Sequence, residues 1–287
     1  MYRGIFFLFL STIIWGIPQP LLFNEIKHIP ALEIVCHRSI WSFLFLLFGI
    51  FVLGKFSLFV NIFKDKKLII GLSITGLLIA INWSGFIISI SLEKLQDASL
   101  GYYISPLIYI ALGYLFLKEK LNLSKIFSII LMLISIFILI IDYGTIPYLA
   151  ISIGLTWATY GLIRKKLNVD AEIGLLFESG LISIISLPYL IYLFFNREGY
   201  FLYSGYIDTS LLIFSGLFTI IPLFFFNIGV KYLSLGFAGV IFFLTPTFHF
   251  LTSIIILNEE ITNIKLLTFI IIWIAVAIFV NEKIREN

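Results

Sequence analysis

The chain has 287 residues, of which 61% are hydrophobic and only 12% are charged. This number of charged residues is too small to cover the surface of a soluble globular protein. The composition therefore indicates an integral membrane protein. The formal net charge of +3 does not indicate a nucleic-acid partner, because the basic residues lie in short connectors between apolar runs, where they orient helices.

Ten apolar runs are long enough to cross about 30 Å of hydrocarbon, which takes about 17 to 25 residues. Clusters of charged residues, Pro, Gly or Asn bound each run. The first run lacks the small-residue cleavage site of a signal peptide, so it is predicted to be retained. The predicted helices span residues 4–23, 32–53, 68–91, 98–117, 124–141, 146–163, 173–195, 210–232, 236–257 and 264–281. The segment between Lys55 and Lys67 is either an amphipathic surface stretch or a plain loop.

The basic residues are distributed unevenly between alternate connectors. With a cytoplasmic N-terminus, 14 Lys and Arg residues lie on the inner side and four on the outer side, with Arg38 set aside as intramembrane. Cytoplasmic loops of membrane proteins carry an excess of Lys and Arg, so this distribution predicts a cytoplasmic N-terminus. Ten helices place the C-terminus on the same side. The predicted location is the inner (plasma) membrane, multi-pass, in contact with membrane lipid.

An internal repeat divides the chain. Residues 235–281 repeat residues 95–141 at a constant offset of 140. The match extends less cleanly into the earlier part of each repeat. The predicted repeats are 1–142 and 143–287. Matched positions include Leu95 with Leu235, Ala98 with Ala238, Pro106 with Pro246, Leu117 with Leu257, Glu119 with Glu259 and Lys125 with Lys265.

The second repeat is predicted to be inverted in the membrane. Five helices per repeat is an odd number, which reverses the direction of each matched helix. The connector Lys118-Glu119-Lys120 has become Asn258-Glu259-Glu260, and the lost basic residues are those that hold a loop in the cytoplasm. Inverted repeats of apolar helices are typical of secondary transporters, whose repeats rock about a central site.

Several runs along the chain resemble one known family. They are His37-Arg38-Ser39-Ile40-Trp41-Ser42, Asn82-Trp83, Ala98-Ser99-Leu100-Gly101-Tyr102-Tyr103-Ile104-Ser105-Pro106-Leu107, Arg164-Lys165-Lys166-Leu167-Asn168-Val169-Asp170-Ala171 and Ile272-Trp273-Ile274-Ala275. In this order they resemble the RarD-like branch of the EamA family, in the drug/metabolite transporter superfamily. The resemblance implies an all-α membrane protein with ten transmembrane helices, arranged as two inverted EamA-like repeats, that moves small organic solutes. Asp97 and Ser105 depart from the family pattern, which has Glu and Asn there.

Arg38 is the first candidate for the substrate site. It lies about 10 Å along the second predicted helix. An Arg near a helix centre costs about 2.5 to 3.5 kcal/mol on insertion scales, so its side chain is predicted to face the bundle or a water-filled cavity. The preferred interpretation is an anchor for an anionic substrate group or a gate. The alternatives are a structural ion pair or a side chain that reaches the membrane surface.

Glu178 corresponds to Arg38 at the offset of 140 and is a second intramembrane charge. Inversion places the two on opposite sides of the midplane, about 10 Å apart, which is too far for a direct salt bridge. They are therefore predicted to bracket a central cavity. Glu178 is assigned to substrate binding and to a coupling proton, with a carboxylate satisfied by neighbouring hydroxyls as the alternative.

Three more residues of the second helix share one face. Glu33, His37 and Trp41 follow the spacing i, i+4, i+8, and this face is predicted to point inward. His37 and Trp41 are assigned to substrate binding and Glu33 to coupling or gating.

Pro106 and Pro246 are predicted pivots, since each removes a backbone hydrogen bond within its helix. A simple packing kink is the alternative. Polar and aromatic groups nearby are predicted to line the cavity: Tyr102, Tyr103, Ser105, Phe243 and Thr245. Asn82 and His249 are further candidates, for which interhelical packing is the alternative.

The predicted function is transport of small organic metabolites or drug-like solutes by alternating access, with proton coupling left open. No nucleotide-binding loop, nucleophile elbow or zinc-peptidase spacing is present, and Cys36 is the only cysteine, so no catalytic residue, metal or cofactor is predicted. The alternatives are a membrane-embedded enzyme that acts on a small amphipathic substrate through Glu33, His37 and Glu178, and a sensor without transport activity. The formation of a homodimer stays open.

Overall fold

A computed structural model describes residues 1–92, 95–144, 148–256 and 262–285, and every element in these ranges is an α-helix. The helices are α1 (Tyr2–Gly16), α2 (Pro18–Glu25), α3 (Ala31–Val52), α4 (Phe56–Ile62), α5 (Lys66–Ser91), α6 (Leu95–Leu117), α7 (Leu123–Tyr143), α8 (Tyr148–Leu167), α9 (Ala171–Asn196), α10 (Tyr206–Tyr232), α11 (Leu235–Phe242), α12 (Leu244–Ile255) and α13 (Asn263–Arg285). The connector Asn258-Glu259-Glu260, used above to predict inversion, lies outside the described residues.

Seven segments within the described ranges are long and apolar enough to cross a membrane. They are Tyr2–Glu25, Ala31–Val52, Lys66–Ser91, Leu123–Asp142, Ala171–Asn196, Tyr206–Tyr232 and Leu235–Thr252. Two shorter apolar helices cover Gly101–Leu117 and Leu266–Glu282. The α8 helix is less apolar, because its last turn carries three basic residues. The prediction of an all-α membrane protein is confirmed.

Two predicted helices are each broken into two. The first run is divided at Ile17, where Pro18 begins α2, because proline has no N–H to continue the hydrogen bonding of α1. The ninth run is divided at Phe243, three residues before Pro246. Pro106, by contrast, lies inside the uninterrupted α6. The segment after Lys55 contains the short helix α4, so the plain-loop alternative is wrong.

Each long helix packs against two or more others, so the helices form one bundle. Helix α1 packs on α10 and α12, while α8 packs on α5 and α6. Helix α3 lies between α9 and α10, α6 also packs on α11, and α7 pairs with α13. Trp15, Trp157, Phe226 and Phe242 lie at the centre of this bundle, where their rings form a continuous apolar core.

Glu119 joins the end of α6 to the beginning of α11. Its two carboxylate oxygens accept hydrogen bonds from the backbone N–H groups of Leu235 at 2.5 Å and Gly236 at 3.0 Å. These N–H groups open α11, so they have no partner inside the helix, and the negative charge also interacts favourably with the helix dipole. Glu119 therefore fixes the approach of two helices that meet near the centre of the protein.

We expect Glu119→Ala to lower the free energy of unfolding by about 1 to 2 kcal/mol, because it removes the acceptor for both N–H groups. Thermal unfolding in one detergent checks this. Glu119→Gln, which keeps one acceptor oxygen, should lose less. Equal unfolding temperatures for the wild type and Glu119→Ala would contradict the capping role.

Candidate functional site

A small cavity lies at the centre of the bundle. Helices α1, α2, α3, α5, α6, α8 and α11 all contribute to it. Its lining consists of Trp15, Gln19, Arg38, Asn82, Trp83, Phe86, Tyr102, Trp157 and Phe242. The free space between these side chains is about 10 Å³, which is about what one water molecule needs. The cavity is therefore closed in this conformation.

Arg38 is the charged residue of this cavity, and only 3% of it is exposed. Its Nε donates a hydrogen bond to Thr219 Oγ1 at 2.6 Å. The guanidinium carbon lies 4.7 Å from the ring centroid of Trp83 and 5.1 Å from that of Phe23. These aromatic faces partly compensate the positive charge. Nη1 has no hydrogen-bond partner among the described residues, so one donor of the guanidinium stays available.

Aromatic rings close the cavity. The rings of Trp15 and Trp157 meet edge to face with centroids 5.0 Å apart, and Trp157 lies 5.4 Å from Phe242. Tyr102 meets Phe242 edge to face at 5.8 Å. The site thus combines one cation, the amides of Asn82 and Gln19, and mainly aromatic walls, a mixture suited to an amphipathic organic molecule.

Of the residues predicted to bind substrate, the structure places Arg38, Asn82 and Tyr102 in the cavity lining. Asn82 Nδ2 also donates to the carbonyl of Ile153 at 3.0 Å, so it joins α5 to α8. His249 lies just behind the lining, where its ring packs 5.8 Å from Tyr102 and one ring nitrogen is 2.9 Å from the carbonyl of Trp15.

Four other residues that were predicted to bind substrate lie away from the cavity lining: Tyr103, Ser105, Phe243 and Thr245. Tyr103 packs 6.2 Å from Phe243 and 5.1 Å from Phe269, on the side of α6 that faces α13. Ser105 donates to a carbonyl of its own helix, at Gly101. Thr245 is buried without a hydrogen-bond partner for its hydroxyl among the described residues.

Glu178 lies in a separate polar cluster instead of the central cavity. Its carboxylate accepts hydrogen bonds from Thr75 Oγ1 at 2.6 Å and from Tyr160 OH at 3.3 Å. Arg164 Nε lies 3.7 Å from Glu178 Oε1 and also donates to Asn227 Oδ1 at 3.1 Å. Only 1% of Glu178 is exposed, and this carboxylate is neutralised by a buried guanidinium. Arg164 follows the predicted end of the sixth helix at residue 163, but it lies in the last turn of α8 and its side chain is buried inside the bundle.

Gly174 creates the space for Arg164. A Cβ atom built on Gly174 would lie 1.7 Å from Arg164 Nη1, so no larger residue leaves the guanidinium in place. The pairing of a small residue on α9 with a long cation on α8 explains how the charge reaches Glu178.

Glu33, His37 and Trp41 face a second pocket between α3 and α9. They share one helix face, as predicted, but this face is turned away from the central cavity. His37 packs 4.6 Å from the ring of Phe201, and Glu33 accepts hydrogen bonds from the backbone N–H groups of Tyr200 and Phe201. Consecutive residues of a helix point about 100° apart, so His37 faces the second pocket while its neighbour Arg38 faces the central cavity.

Several cavity residues were not assigned to substrate binding from the sequence: Trp15, Gln19, Trp83, Phe86, Trp157 and Phe242. Gln19 carried a signal, since it is a polar residue between two prolines in an apolar run. Trp15 was open between a cavity wall and a lipid-facing position, because a chain with 17% aromatic residues places them on lipid-facing surfaces as readily as in a cavity. Within the described ranges, no group of three His, Cys, Asp or Glu residues is arranged to hold a metal ion.

At the opposite end of the α3–α9 pair, Lys55 donates a hydrogen bond to Glu172. Lys55 lies outside the membrane-spanning segments, and this bond raises the pKa of Lys55. The pair fixes the end of α3 to the beginning of α9.

Comparison with known proteins identifies the family. The model of the EamA-like transporter family matches twice, at residues 2–141 and 145–281. The chain belongs to the EamA-like transporter family. It is 32% identical to protein RarD of Escherichia coli K12, over 98% of this chain and 95% of that protein, which places it in the RarD-like branch. It is also 32% identical to the uncharacterized transporter YojE of Bacillus subtilis, over 99% and 95% of the two chains.

Other comparisons agree with this family. An uncharacterized transporter of Vibrio cholerae is 34% identical over 99% of this chain and 94% of its own length. A crystal structure matches 100% of this chain and 99% of its own with a TM-score of 0.75 at 13% identity, which shows a shared fold. The apolar helices and these bacterial relatives together make this EamA protein a multi-pass membrane transporter of the inner membrane.

We expect Gly174→Ala to destabilise the EamA protein by about 1 to 3 kcal/mol, because the added methyl group must displace the Arg164 guanidinium from Glu178. Unfolding in detergent measures the change. Gly49→Ala is the matched control, since nothing lies within 4 Å of a Cβ built there. If both variants unfold at the wild-type temperature, the close approach at Gly174 has no energetic importance.

Proposed function

We propose that the protein carries small organic solutes with an anionic group across the membrane by alternating access through the central cavity. The observation that carries this proposal is the buried Arg38 guanidinium. No carboxylate within the described parts of the chain lies within ion-pair distance of it. A buried cation without a counter-charge is unfavourable, and an anionic solute would supply that charge.

The walls of the cavity indicate the rest of the solute. Indole and phenyl rings surround Arg38, and Gln19, Asn82 and Tyr102 add uncharged polar groups beside the indole N–H donors. Such a lining favours a molecule with an apolar or aromatic body and a single carboxylate or comparable anionic group. The transporter names of the relatives favour movement of this solute over the enzymatic conversion considered above.

The closed cavity supports alternating access. About 10 Å³ of free space cannot hold an organic solute, so the surrounding helices must separate before binding. The contacts that must separate are largely ring-to-ring, such as Trp15 with Trp157, together with the hydrogen bonds of Glu119 to α11. We therefore assign this conformation to an occluded state between the two open ones.

We further propose ten transmembrane helices in two inverted EamA-like repeats, 1–142 and 143–287, with both termini cytoplasmic. The helix neighbours support this. Exchanging the repeats converts the α1–α10 pair into the α8–α5 pair, and the α3–α10 pair into the α9–α5 pair, and all four pairs are in contact. The two matches of the family model divide the chain at nearly the same point.

Two equivalent threonines support the same symmetry. Thr75 donates to Glu178, and Thr219 accepts from Arg38. Glu178 and Arg38 are 140 residues apart, and the threonines are 144 apart, as expected for matched positions with one small shift. Each repeat therefore contributes one charged residue that is bound to a threonine of the other repeat's equivalent helix.

We assign proton coupling to Glu178. Protonation would remove the negative charge that faces Arg164 and loosen the contacts between α8 and α9. Pro106 and Pro246 are proposed to permit helix bending during the change, since each leaves a gap in the backbone hydrogen bonding.

We expect Arg38→Gln to weaken solute binding by about 10- to 100-fold, because a charged hydrogen bond contributes about 1.5 to 3 kcal/mol. A thermal-shift screen of metabolites with and without a carboxylate identifies the solute, and its uptake into proteoliposomes is then measured. Arg197→Gln, at an exposed helix end, is the matched control. Unchanged uptake by a folded Arg38→Gln protein would contradict the proposed site.

Glu178→Gln keeps an acceptor for Thr75 but cannot exchange a proton. If Glu178 couples transport, the variant should no longer accumulate solute in response to a pH gradient, while exchange of labelled for unlabelled solute continues. Uptake and exchange are measured in the same proteoliposomes. Accumulation that responds to the gradient as in the wild type would remove Glu178 as the coupling residue.

A further inference from the structure

The second pocket, between α3 and α9, has a volume of about 240 Å³. It is smaller than the usual site for a drug-sized ligand, which measures about 300 to 1,000 Å³. Most of its wall is apolar, and the polar groups come from Glu33 and His37. The lining residues are Glu33, His37, Ile40, Trp41, Leu187, Leu190, Ile191, Leu193, Phe194, Phe195, Gly199 and Phe201.

Glu33 is buried in this pocket with one oxygen unused. Only 1% of the residue is exposed. Oε1 accepts hydrogen bonds from the N–H groups of Tyr200 at 2.7 Å and Phe201 at 3.2 Å. Oε2 has no partner among the described residues. A carboxylate oxygen only accepts hydrogen bonds, so a group that binds here must donate one.

His37 does not neutralise this carboxylate. Trp41 Nε1 donates to His37 Nδ1 at 3.3 Å, which places the single proton of a neutral imidazole on Nε2. Nε2 lies 4.0 Å from Glu33 Oε1, beyond hydrogen-bond distance. An ionised Glu33 thus has no cationic partner at hydrogen-bond distance among the described residues, and an occupant with a positive charge as well as an apolar part would match this pocket.

We propose that this pocket binds the ammonium head group of a membrane lipid, of the phosphatidylethanolamine type, with Glu33 as the acceptor and α9 as the wall for the start of an acyl chain. A primary ammonium offers three donors and a positive charge, which match the free oxygen and the charge of Glu33. The site is distinct from the central cavity and does not depend on the proposed transport function.

The position of the pocket favours a lipid over a soluble amine. Glu33 is in the first turn of α3, and Tyr200 and Phe201 lie in the connector between α9 and α10, so the carboxylate sits near one membrane boundary. From there the wall runs along α9 from Phe194 to Leu187, about 10 Å at 1.5 Å per residue. Several wall residues are also open to the surroundings, including Leu187, Ile191, Phe194 and Phe195. A lipid can therefore enter sideways.

Native mass spectrometry of the full chain in detergent tests the proposal, with dioleoylphosphatidylethanolamine and dioleoylphosphatidylcholine as probes. The two lipids have the same chains, and only the first has N–H donors. We expect the wild type to retain phosphatidylethanolamine at least about 10-fold more tightly. In Glu33→Gln the amide can still accept from Tyr200 and Phe201, but the negative charge is gone, so this preference should disappear.

A second variant keeps the test decisive if Glu33→Gln unfolds. Leu190→Trp fills the pocket and leaves the carboxylate in place, and it should lose the bound lipid as well. Glu172→Gln, at the opposite end of α9, is the control that should keep the preference, and unfolding temperatures are measured for all proteins. Equal retention of the two lipids by the wild type would overturn the proposal. So would binding of dodecylammonium without phosphatidylethanolamine, or an unchanged preference in both pocket variants.

Discussion

The central constraint on this protein is a positive charge held inside an apolar bundle. The guanidinium of Arg38 donates a hydrogen bond to Thr219 and lies over the rings of Trp83 and Phe23. Aromatic faces stabilise a cation by less than a paired carboxylate does in a dry site. The charge of Arg38 is therefore only partly compensated, and in the proposed transport cycle an anionic solute would supply the missing counter-charge.

Glu178, which corresponds to Arg38 in the second repeat, has its charge compensated in a different way. Glu178 faces Arg164 and accepts hydrogen bonds from Thr75 and Tyr160, so its charge is matched within the protein. Both repeats contain a charged residue next to a threonine, but among the described residues Glu178 has an ion-pair partner and Arg38 has none. Duplication explains why the two positions exist, and the pairing of one of them explains why the central cavity contains a single charge. If the cavity is the substrate site, as proposed, this single positive charge would favour an anionic solute over a cationic one.

Periodicity and charge predicted much of the fold and less of the site. Every predicted helix end lies within four residues of an observed one where the structure describes it, because apolar length and connector charge are local properties. Which neighbouring helix a given helix face packs against depends on residues far apart in the sequence, so it cannot be predicted from local sequence properties. Glu33, His37 and Trp41 share a face as the spacing requires, but the face meets α9 and the Tyr200–Phe201 segment instead of the cavity. Arg164 follows the same rule, since only the glycine at position 174 on another helix admits it to the bundle.

In the proposed alternating-access cycle, opening the central cavity would change more than the aromatic contacts. Glu119 ties the end of α6 to the first N–H groups of α11, and α11 carries Phe242 into the cavity wall. The break at Phe243 separates α11 from α12, so α11 can tilt without moving the rest of its helix. On the opposite repeat α6 is continuous through Pro106. The two repeats therefore differ in backbone continuity at equivalent positions, so the proposed opening is expected to bend the chain at Phe243 rather than within α6.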